Sequence, residues 1–308
     1  MRLASILPRR TSLPVPAVEV PGGGWIELKI LAERPVADME AALRFISEHP
    51  SLYVRRAAEY RGQCLTEAEF LFLPPVVRPP SFRDFYAFEA HVKTARAKRG
   101  LEMLPLWYEI PVFYFSNPNA LLGHGASVFA PAGSQELDYE LELGIVIGTG
   151  GRNIQPADAW EHVAGLTILN DWSARDLQRK EVQVGLGPAK GKDFATSVGP
   201  YLLTIDEFSD RIEGERLTLE MTARVNGKEL SRGNVATIHH SVPQLIAQAS
   251  RDAELIPGDL IGSGTVGTGC ILELGPENTG GWLKPGDVVE LEIERLGVLR
   301  TPIVDRRD

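Results

Sequence analysis

Short runs of alternating or wholly apolar side chains recur through the second half of the chain, where glycine and proline separate them. This spacing is typical of β-strands joined by turns. Asn226-Gly227 stands between residues 223–225 and 228–230, and this dipeptide favours a two-residue hairpin turn. The predicted strands cover residues 137–147, 166–169, 201–205, 217–225, 270–274 and 288–293.

Apolar side chains at helical spacing predict three helices, at residues 39–49, 81–100 and 242–251. Pro50 is expected to end the first helix and Gly100 the second. Ser241 and Gln244 form a capping box at the start of the third. Because strands outnumber helices, the expected fold class is α+β, mainly β.

A proline-rich stretch at residues 73–80 divides the chain. Consecutive prolines continue neither a helix nor a central strand, because proline lacks a backbone N–H and restricts the residue before it. We therefore expect a small N-terminal domain at residues 1–75 and a larger domain at residues 76–308.

The 308 residues include 32 basic and 41 acidic side chains, which give a net charge of −9. Such a chain lacks the broad attraction to phosphate that nucleic-acid binding requires, so we expect no nucleic-acid partner. We expect no membrane span and a cytoplasmic location, because no apolar run reaches about 18 residues and Arg9 and Arg10 end the N-terminal one. We expect Cys64 and Cys270 to be reduced, packed thiols.

Two carboxylates stand out in the predicted strand at residues 137–147. Side chains alternate along a strand, so Glu140 and Glu142 project from one face about 7 Å apart. If that face is buried, their mutual repulsion favours a cation between them. If the strand is half exposed, the same pair is an ordinary polar outer face.

A second polar group follows the predicted strand at residues 166–169. Asp171 stands where this strand runs into a loop, a common position for functional side chains. Arg175 and Gln178 are three positions apart and share a face if a helix starts there. In the alternative interpretation, Asp171 caps an ordinary surface helix.

Two further segments carry candidate chemistry. Lys192 follows a glycine-containing loop at residues 186–191, where backbone could approach a ligand, although a solvated lysine loop is the alternative. Asp84 and His91 are seven positions apart and would share one face of the predicted helix at residues 81–100. A single histidine in such a pattern is more often structural or solvated.

In combination, these segments resemble the fumarylacetoacetate hydrolase family from about residue 81 to residue 302. Each motif is weak alone, and their order and spacing together carry the resemblance. It implies a mixed β-roll catalytic domain after a small N-terminal domain, and a homodimer. The matching motifs lie at residues 84–91, 137–142, 170–178, 191–196 and 258–265.

The resemblance implies one divalent cation held by four carboxylates, those of Asp84, Glu140, Glu142 and Asp171. A set of oxygen ligands without cysteine or histidine suits hard cations better than Zn²⁺. The expected cofactor is therefore Mg²⁺, with Mn²⁺ or Ca²⁺ as alternatives.

The resemblance also implies roles for the surrounding side chains. His91 would be the base that activates water, oriented by Glu273, although Glu273 could instead be a solvent-facing strand carboxylate. Arg175, Gln178 and Lys192 would stabilise an oxyanion. The expected substrate contacts are Tyr86, Tyr114, Thr196 and Thr265.

The activity implied is hydrolysis of a carbon–carbon bond in a 1,3-diketo acid of the fumarylacetoacetate or acylpyruvate type, in aromatic-compound catabolism. The same site could serve an oxaloacetate-type decarboxylase or an isomerase of an unsaturated keto acid, and a non-catalytic metabolite-binding protein is a third alternative. A histidine base favours hydrolysis, because decarboxylation needs no activated water. The basic side chains at residues 93–99 could hold a substrate carboxylate or form a solvated helix end.

Overall fold

The computed structural model describes residues 1–11 and 13–306. Its strands form one large sheet, one four-stranded sheet and two small pairs. In chain order the strands are β1 (Arg2–Pro8), β2 (Val15–Val20), β3 (Gly24–Glu27), β4 (Phe70–Phe72), β5 (Phe82–Phe85), β6 (Phe113–Phe115), β7 (Leu121–Leu122), β8 (Leu137–Asp138), β9 (Leu141–Ile147), β10 (Val163–Asp171), β11 (Ser173–Ala174), β12 (Thr196–Thr204), β13 (Ile212–Glu213), β14 (Arg216–Leu217), β15 (Glu220–Val225), β16 (Lys228–Asn234), β17 (Leu260–Gly262), β18 (Val288–Ile293) and β19 (Gly297–Pro302).

The helices are short and lie around the sheets. The predicted capping box of Ser241 and Gln244 is present at the start of α6, so this helix is confirmed. In the described chain the α-helices are α1 (Leu28–Ala32), α2 (Met39–Glu48), α3 (Pro50–Glu59), α4 (Glu89–Ala97), α5 (Arg175–Glu181), α6 (Val242–Ser250), α7 (Ile271–Leu274) and α8 (Pro276–Thr279).

The large sheet has 11 strands in the order β3-β2-β1-β12-β10-β9-β17-β5-β6, with β4 and β7 attached to β1 and β12. Its N-terminal strands are continuous with the rest, because β1 pairs with β12. The Ser5 hydroxyl also donates to the Pro75 carbonyl at 2.7 Å. A domain boundary near residue 75 stays a prediction.

The core has two main parts. One lies among the large sheet, the four-stranded sheet β16-β15-β18-β19 and α6. The other lies between α1–α3 and the large sheet, where it includes side chains of β1–β3, β5, β9, β10, β12 and β17. Burial of these apolar faces supplies the main driving force for folding. Because large β-sheets dominate this structure and the α-helices around them are short, the α+β, mainly β fold class is confirmed.

The predicted helix at residues 81–100 is wrong in its first half, which forms β5 before α4 begins at Glu89. Pairing of β5 with β17 and β6 overrides the local helical spacing. Asp84 and His91 therefore do not share a helix face. Pro50 does not simply end a helix, because α3 begins there.

Two other predictions need correction. Residues 270–274 are not a strand, because α7 begins at Ile271, where the Asp138 carboxylate accepts the first two helical N–H groups. Cys64 is exposed rather than packed, whereas Cys270 is buried as expected. Both thiols are free. No helix in the described ranges is long and apolar enough to cross a bilayer.

The Asn226-Gly227 hairpin is confirmed between β15 and β16, with Val225 opposite Lys228. Both turn residues have positive φ, at 53° and 77°, as a type I′ turn requires. The remaining predicted strands also form, with shifted ends. The run at residues 137–147 is interrupted between β8 and β9, and the run at residues 217–225 is divided between β14 and β15, which lie in different sheets.

Candidate active site

Three carboxylates meet at one end of the large sheet. Asp84 comes from β5, Glu142 from β9 and Asp171 from the last position of β10. In the sheet these strands lie in the order β10-β9-β17-β5, so residues far apart in the chain come close together. One carboxylate oxygen of each lies within 4.8 Å of the others, and all three side chains are buried.

Gly262 makes this meeting possible. It ends β17, which lies between β5 and β9, and it is opposite Asp84 and Gly144 in register. A Cβ atom at this position would lie 2.3 Å from Asp84 Oδ1 and 3.1 Å from Glu142 Oε2. A side chain there would therefore occupy the space between the two carboxylates.

Without a cation, burial and mutual repulsion disfavour the charged forms of the three carboxylates. Burial raises the pKa of Asp84 well above its usual range, and the Asp171 carboxylate adds to this. Burial and the Asp84 carboxylate likewise raise the pKa of Glu142. The pKa of Asp171 is raised by burial although Lys192 opposes the shift.

Glu140 has a different environment. Arg175 Nη2 donates to its Oε1 at 2.8 Å, and the Lys192 ammonium donates to its Oε2. Burial raises the pKa of Glu140, but these two cations outweigh burial and hold the pKa well below its usual range. Lys192 also donates to Asp171 Oδ2 at 2.5 Å.

The donor set fits a hard divalent cation. Both Asp84 oxygens and Asp171 Oδ1 are buried without a hydrogen-bond partner in the described chain. Unpaired buried carboxylate oxygens are costly, and an ion in their midst would satisfy them. The three clustered carboxylates are therefore suited to hold the ion. The fourth predicted ligand, Glu140, is linked to this cluster by the Lys192 ammonium, which donates to both Glu140 and Asp171.

A histidine–carboxylate pair borders the same site, and its histidine lines the cavity there. His91 on α4 and Glu273 on α7 are 2.6 Å apart between Nδ1 and Oε1, and both side chains are buried. The interpretation of Glu273 as a solvent-facing strand carboxylate is therefore wrong. When Nδ1–H donates to Glu273, the ring keeps its lone pair on Nε2.

The predicted substrate contacts fall into two groups. Tyr86 packs edge-on to His91, with ring centroids 5.4 Å apart, and burial raises its pKa to about 12. The Tyr114 hydroxyl donates to Asp171 Oδ2 at 2.6 Å, and Thr265 Oγ1 donates to Glu142 Oε1 at 3.3 Å. Thr196 lies apart from these, buried at the start of β12 opposite Asp171.

A cavity of about 410 Å³ is lined by the three clustered carboxylates and by most of the other predicted site residues. Lys192 is buried in its wall, so the solvated-loop interpretation is wrong. Asp171 does not cap α5, whose N-cap is Ala174. The predicted site residues that line the cavity are Asp84, Tyr86, His91, Tyr114, Glu140, Glu142, Asp171, Arg175, Gln178, Lys192 and Thr265.

Several cavity residues were not predicted as site residues. Lys98, Arg99 and Arg179 add positive charge to the lining, and Phe113 and Val112 add apolar surface. The basic cluster at residues 93–99 was visible in the sequence, but only the fold distinguishes its two cavity-facing members from the rest. The apolar members carry no sequence signal that separates them from core residues.

Asp138 lies outside the cavity lining and holds two parts of the site in place. Its buried carboxylate accepts from Arg175 Nε at 2.8 Å and from the backbone N–H groups of Ile271 and Leu272 at 2.8 and 3.0 Å. It thereby joins the guanidinium that contacts Glu140 to the helix that carries Glu273. Asp138 is two positions before Glu140, so a continuous strand would place both side chains on one face, but the sequence does not indicate these partners.

Comparison with known proteins gives a consistent result. The fumarylacetoacetate (FAA) hydrolase C-terminal family model matches residues 81–304. Mitochondrial oxaloacetate tautomerase FAHD2A of Bos taurus is 34% identical over 288 residues, which cover 92% of this chain and 85% of that protein.

Two solved structures share the fold over the full length of both chains. A putative HpcE protein from Mycobacterium smegmatis is 28% identical, with a TM-score of 0.78. A maleylpyruvate hydrolase from Sphingobium sp. SYK-6, solved with manganese(II) and pyruvate, is 22% identical, with a TM-score of 0.73. With the family model covering most of the chain, this protein belongs to the fumarylacetoacetate hydrolase family and is an enzyme of that family.

Proposed function

We propose that this enzyme hydrolyses a carbon–carbon bond of a 1,3-diketo acid, of the fumarylacetoacetate or acylpyruvate type, with the aid of a divalent cation. The observation that carries the proposal is the buried His91–Glu273 pair, at 2.6 Å, whose histidine lines the same cavity as the carboxylate cluster. A histidine oriented by a carboxylate is a general base able to activate water.

Asp84, Glu142 and Asp171 would hold the cation, with Glu140 as the expected fourth ligand. When bound, a divalent cation supplies Lewis acidity toward the oxygens of a keto acid. Mg²⁺ is the expected ion, with Mn²⁺ or Ca²⁺ as alternatives, because the donors are all oxygen. The manganese(II) and pyruvate in the Sphingobium hydrolase are compatible with this choice.

The remaining side chains divide the chemical work. His91 Nε2 takes a proton from water, and Glu273 stabilises the imidazolium that results. Arg175 and Lys192 are the cations nearest the carboxylate cluster and can donate to an oxyanion, with Gln178 held beside Arg175 at 3.1 Å. Lys98 and Arg99 supply positive charge that attracts an acidic substrate into the cavity.

Keto–enol tautomerisation of an oxaloacetate-like acid is the second candidate. The bovine relative named as an oxaloacetate tautomerase favours it, since the identity of 34% extends over 92% of this chain. Tautomerisation needs a proton moved between carbon and oxygen, which the same histidine can perform, but no water is consumed. The two candidates therefore differ in their products.

A panel of acylpyruvates, fumarylacetoacetate, oxaloacetate and unsaturated keto acids, assayed with Mg²⁺ or Mn²⁺ and again with chelator, tests the proposal. We expect cation-dependent release of two acids from a diketo acid. His91→Ala should lower that turnover by about 10²–10⁴-fold while the protein still binds its cation, because a general base contributes this much. Cation-dependent tautomerisation without cleavage of any diketo acid would select the second candidate instead.

A further inference from the structure

A second group of metal-ligand side chains lies beside the carboxylate cluster. It consists of His91, Cys270 and Glu273, each of which offers a donor atom within 4.8 Å of the other two. Glu273 Oε1 is 2.6 Å from His91 Nδ1 and 3.6 Å from Cys270 Sγ. The thiol has no part in the mechanism proposed above.

We propose that His91, Cys270 and Glu273 form a second metal site, specific for Zn²⁺ and similar borderline-soft ions, and that an ion bound there inhibits the enzyme. The nitrogen, sulfur and oxygen donors contrast with the all-oxygen donors of the carboxylate cluster. Zn²⁺ takes such mixed ligands at tetrahedral sites, whereas Mg²⁺ and Ca²⁺ take oxygen.

The geometry is close to that of a tetrahedral site. Zn–S and Zn–O bonds of about 2.3 and 2.0 Å at the tetrahedral angle place sulfur and oxygen about 3.5 Å apart. Cys270 Sγ and Glu273 Oε1 are already 3.6 Å apart. The His91 Nδ1 to Oε1 distance of 2.6 Å must open to about 3.3 Å, which a small shift of the imidazole provides.

The surroundings favour an ion at this place. The Thr268 N–H donates to Glu273 Oε2 at 3.0 Å, so this carboxylate is oriented while Oε1 stays available. His91 lines the cavity, so an ion can reach this group from solvent past the imidazole. The thiol releases a proton to solvent when it becomes a ligand, whereas the His91 ring exchanges its proton on Nδ1 for one on Nε2 and stays neutral.

Inhibition follows from the chemistry of the imidazole. A neutral ring that ligates through Nδ1 carries its proton on Nε2, so no lone pair is left there to accept a proton from water. The occupied site also removes Glu273 from its orienting role. Binding of zinc does not depend on the proposed function, whereas inhibition rests on it.

Cobalt(II) is the probe for binding, because a thiolate ligand gives it an intense charge-transfer absorption that oxygen ligands do not give. The full-length Cys64→Ala protein, kept in excess Mg²⁺, leaves Cys270 as its single thiol. We expect the thiolate–cobalt absorption to develop in this variant, to disappear on addition of Zn²⁺, and to be missing in Cys270→Ala. Its absence from Cys64→Ala overturns the site, even if Cys270→Ala does not fold.

Zinc inhibition is then measured on wild-type enzyme and both cysteine variants in excess Mg²⁺. We expect Cys270→Ala to need at least about tenfold more Zn²⁺ for half-inhibition, since loss of one ligand weakens metal affinity at least as much as loss of a supporting contact. Cys64→Ala should match the wild type. Equal zinc sensitivity of all three proteins would overturn the inhibitory role. If no keto acid is turned over, the proposed function fails while the cobalt spectrum still decides the site.

Discussion

Gly262 determines whether two of the clustered carboxylates can share one ion. A Cβ atom at residue 262 would point between Asp84 and Glu142 and would lie only 2.3 Å from Asp84 Oδ1. The backbone of the same loop also contributes, because the Gly264 N–H donates to Glu142 Oε2 at 3.0 Å. The site is therefore shaped as much by a missing side chain as by the acidic ones.

Gly262→Ala should weaken cation binding by at least about tenfold, because the new methyl group displaces Asp84 from its neighbours. Calorimetric titration with Mn²⁺ measures the change. Gly187→Ala is the matched control, since a Cβ there meets no atom within 4 Å, and its affinity should equal that of the wild type. Unchanged affinity in Gly262→Ala would remove Asp84 from the ligand set.

The raised pKa values of Asp84 and Glu142 predict a pH-dependent response to cations. The metal-free folded protein holds protons on these groups at pH values where the unfolded chain has lost them. Its stability therefore falls as pH rises through that window, and a bound cation restores the stability. The increase in Tm on adding Mg²⁺ should be larger at pH 8 than at pH 6.

Differential scanning calorimetry with and without chelator measures this difference. At a cation concentration about 100 times Kd, binding adds about 2.7 kcal/mol to the free energy of unfolding, or a Tm increase of several degrees. Glu142→Ala and Asp171→Ala should fold and show no increase at either pH. A variant of either kind that retains a stoichiometric cation would contradict the ligand assignment.

At the level of secondary structure elements, β8 and α7 cooperate through Asp138. Its carboxylate caps the first two N–H groups of α7 and holds Arg175 at the same time. A negative charge at a helix N-terminus is favourable because of the partial positive charge there. Movement of Asp138 would therefore disturb Glu273 and Arg175 together.

Asp138→Ala should lower the free energy of unfolding by about 3–5 kcal/mol, because it leaves the Arg175 guanidinium buried without one of its carboxylates. Urea denaturation measures the loss. Asp210→Ala removes an exposed carboxylate from Arg295 and should leave the free energy of unfolding nearly unchanged. A similar, small loss in both variants would show that Asp138 is not a structural link.

Element type was predicted from the sequence where the local signals agreed. At α6 the capping box and the apolar stripe both favoured a helix, and the structure has one. At β5 the helical spacing of the phenylalanines competed with pairing to β17, and pairing prevailed. At α7 the apolar run favoured a strand, and the distant Asp138 carboxylate stabilises a helix instead.

The carboxylate motifs were visible because their spacing is local, and the resemblance suggested their grouping. The His91–Glu273 contact joins residues 182 positions apart, so spacing alone could not indicate it. The proximity of Cys270 to this pair depends on α7 being a helix, which the sequence did not predict.

At the level of the whole molecule, the homodimer implied by the family resemblance stays a prediction. Apolar side chains are exposed along residues 101–115, among them Leu104 at 54%, Leu106 at 57% and Phe115 at 67%. Exposed apolar surface of this kind is common at protein–protein contacts. Sedimentation should give twice the chain mass of 33.8 kDa, and a concentration-independent monomer would refute the prediction.

β5 pairs with β17, which is formed by residues Leu260–Gly262. This pairing therefore cannot form until the ribosome has synthesised most of the protein. A nascent or truncated chain that stops before Gly262 has Asp84 but lacks the strand that joins it to Glu142 and Asp171. Such a fragment cannot assemble the carboxylate cluster. If the cluster holds the proposed cation, that ion can bind only after β17 has been synthesised and has joined β5 to β9.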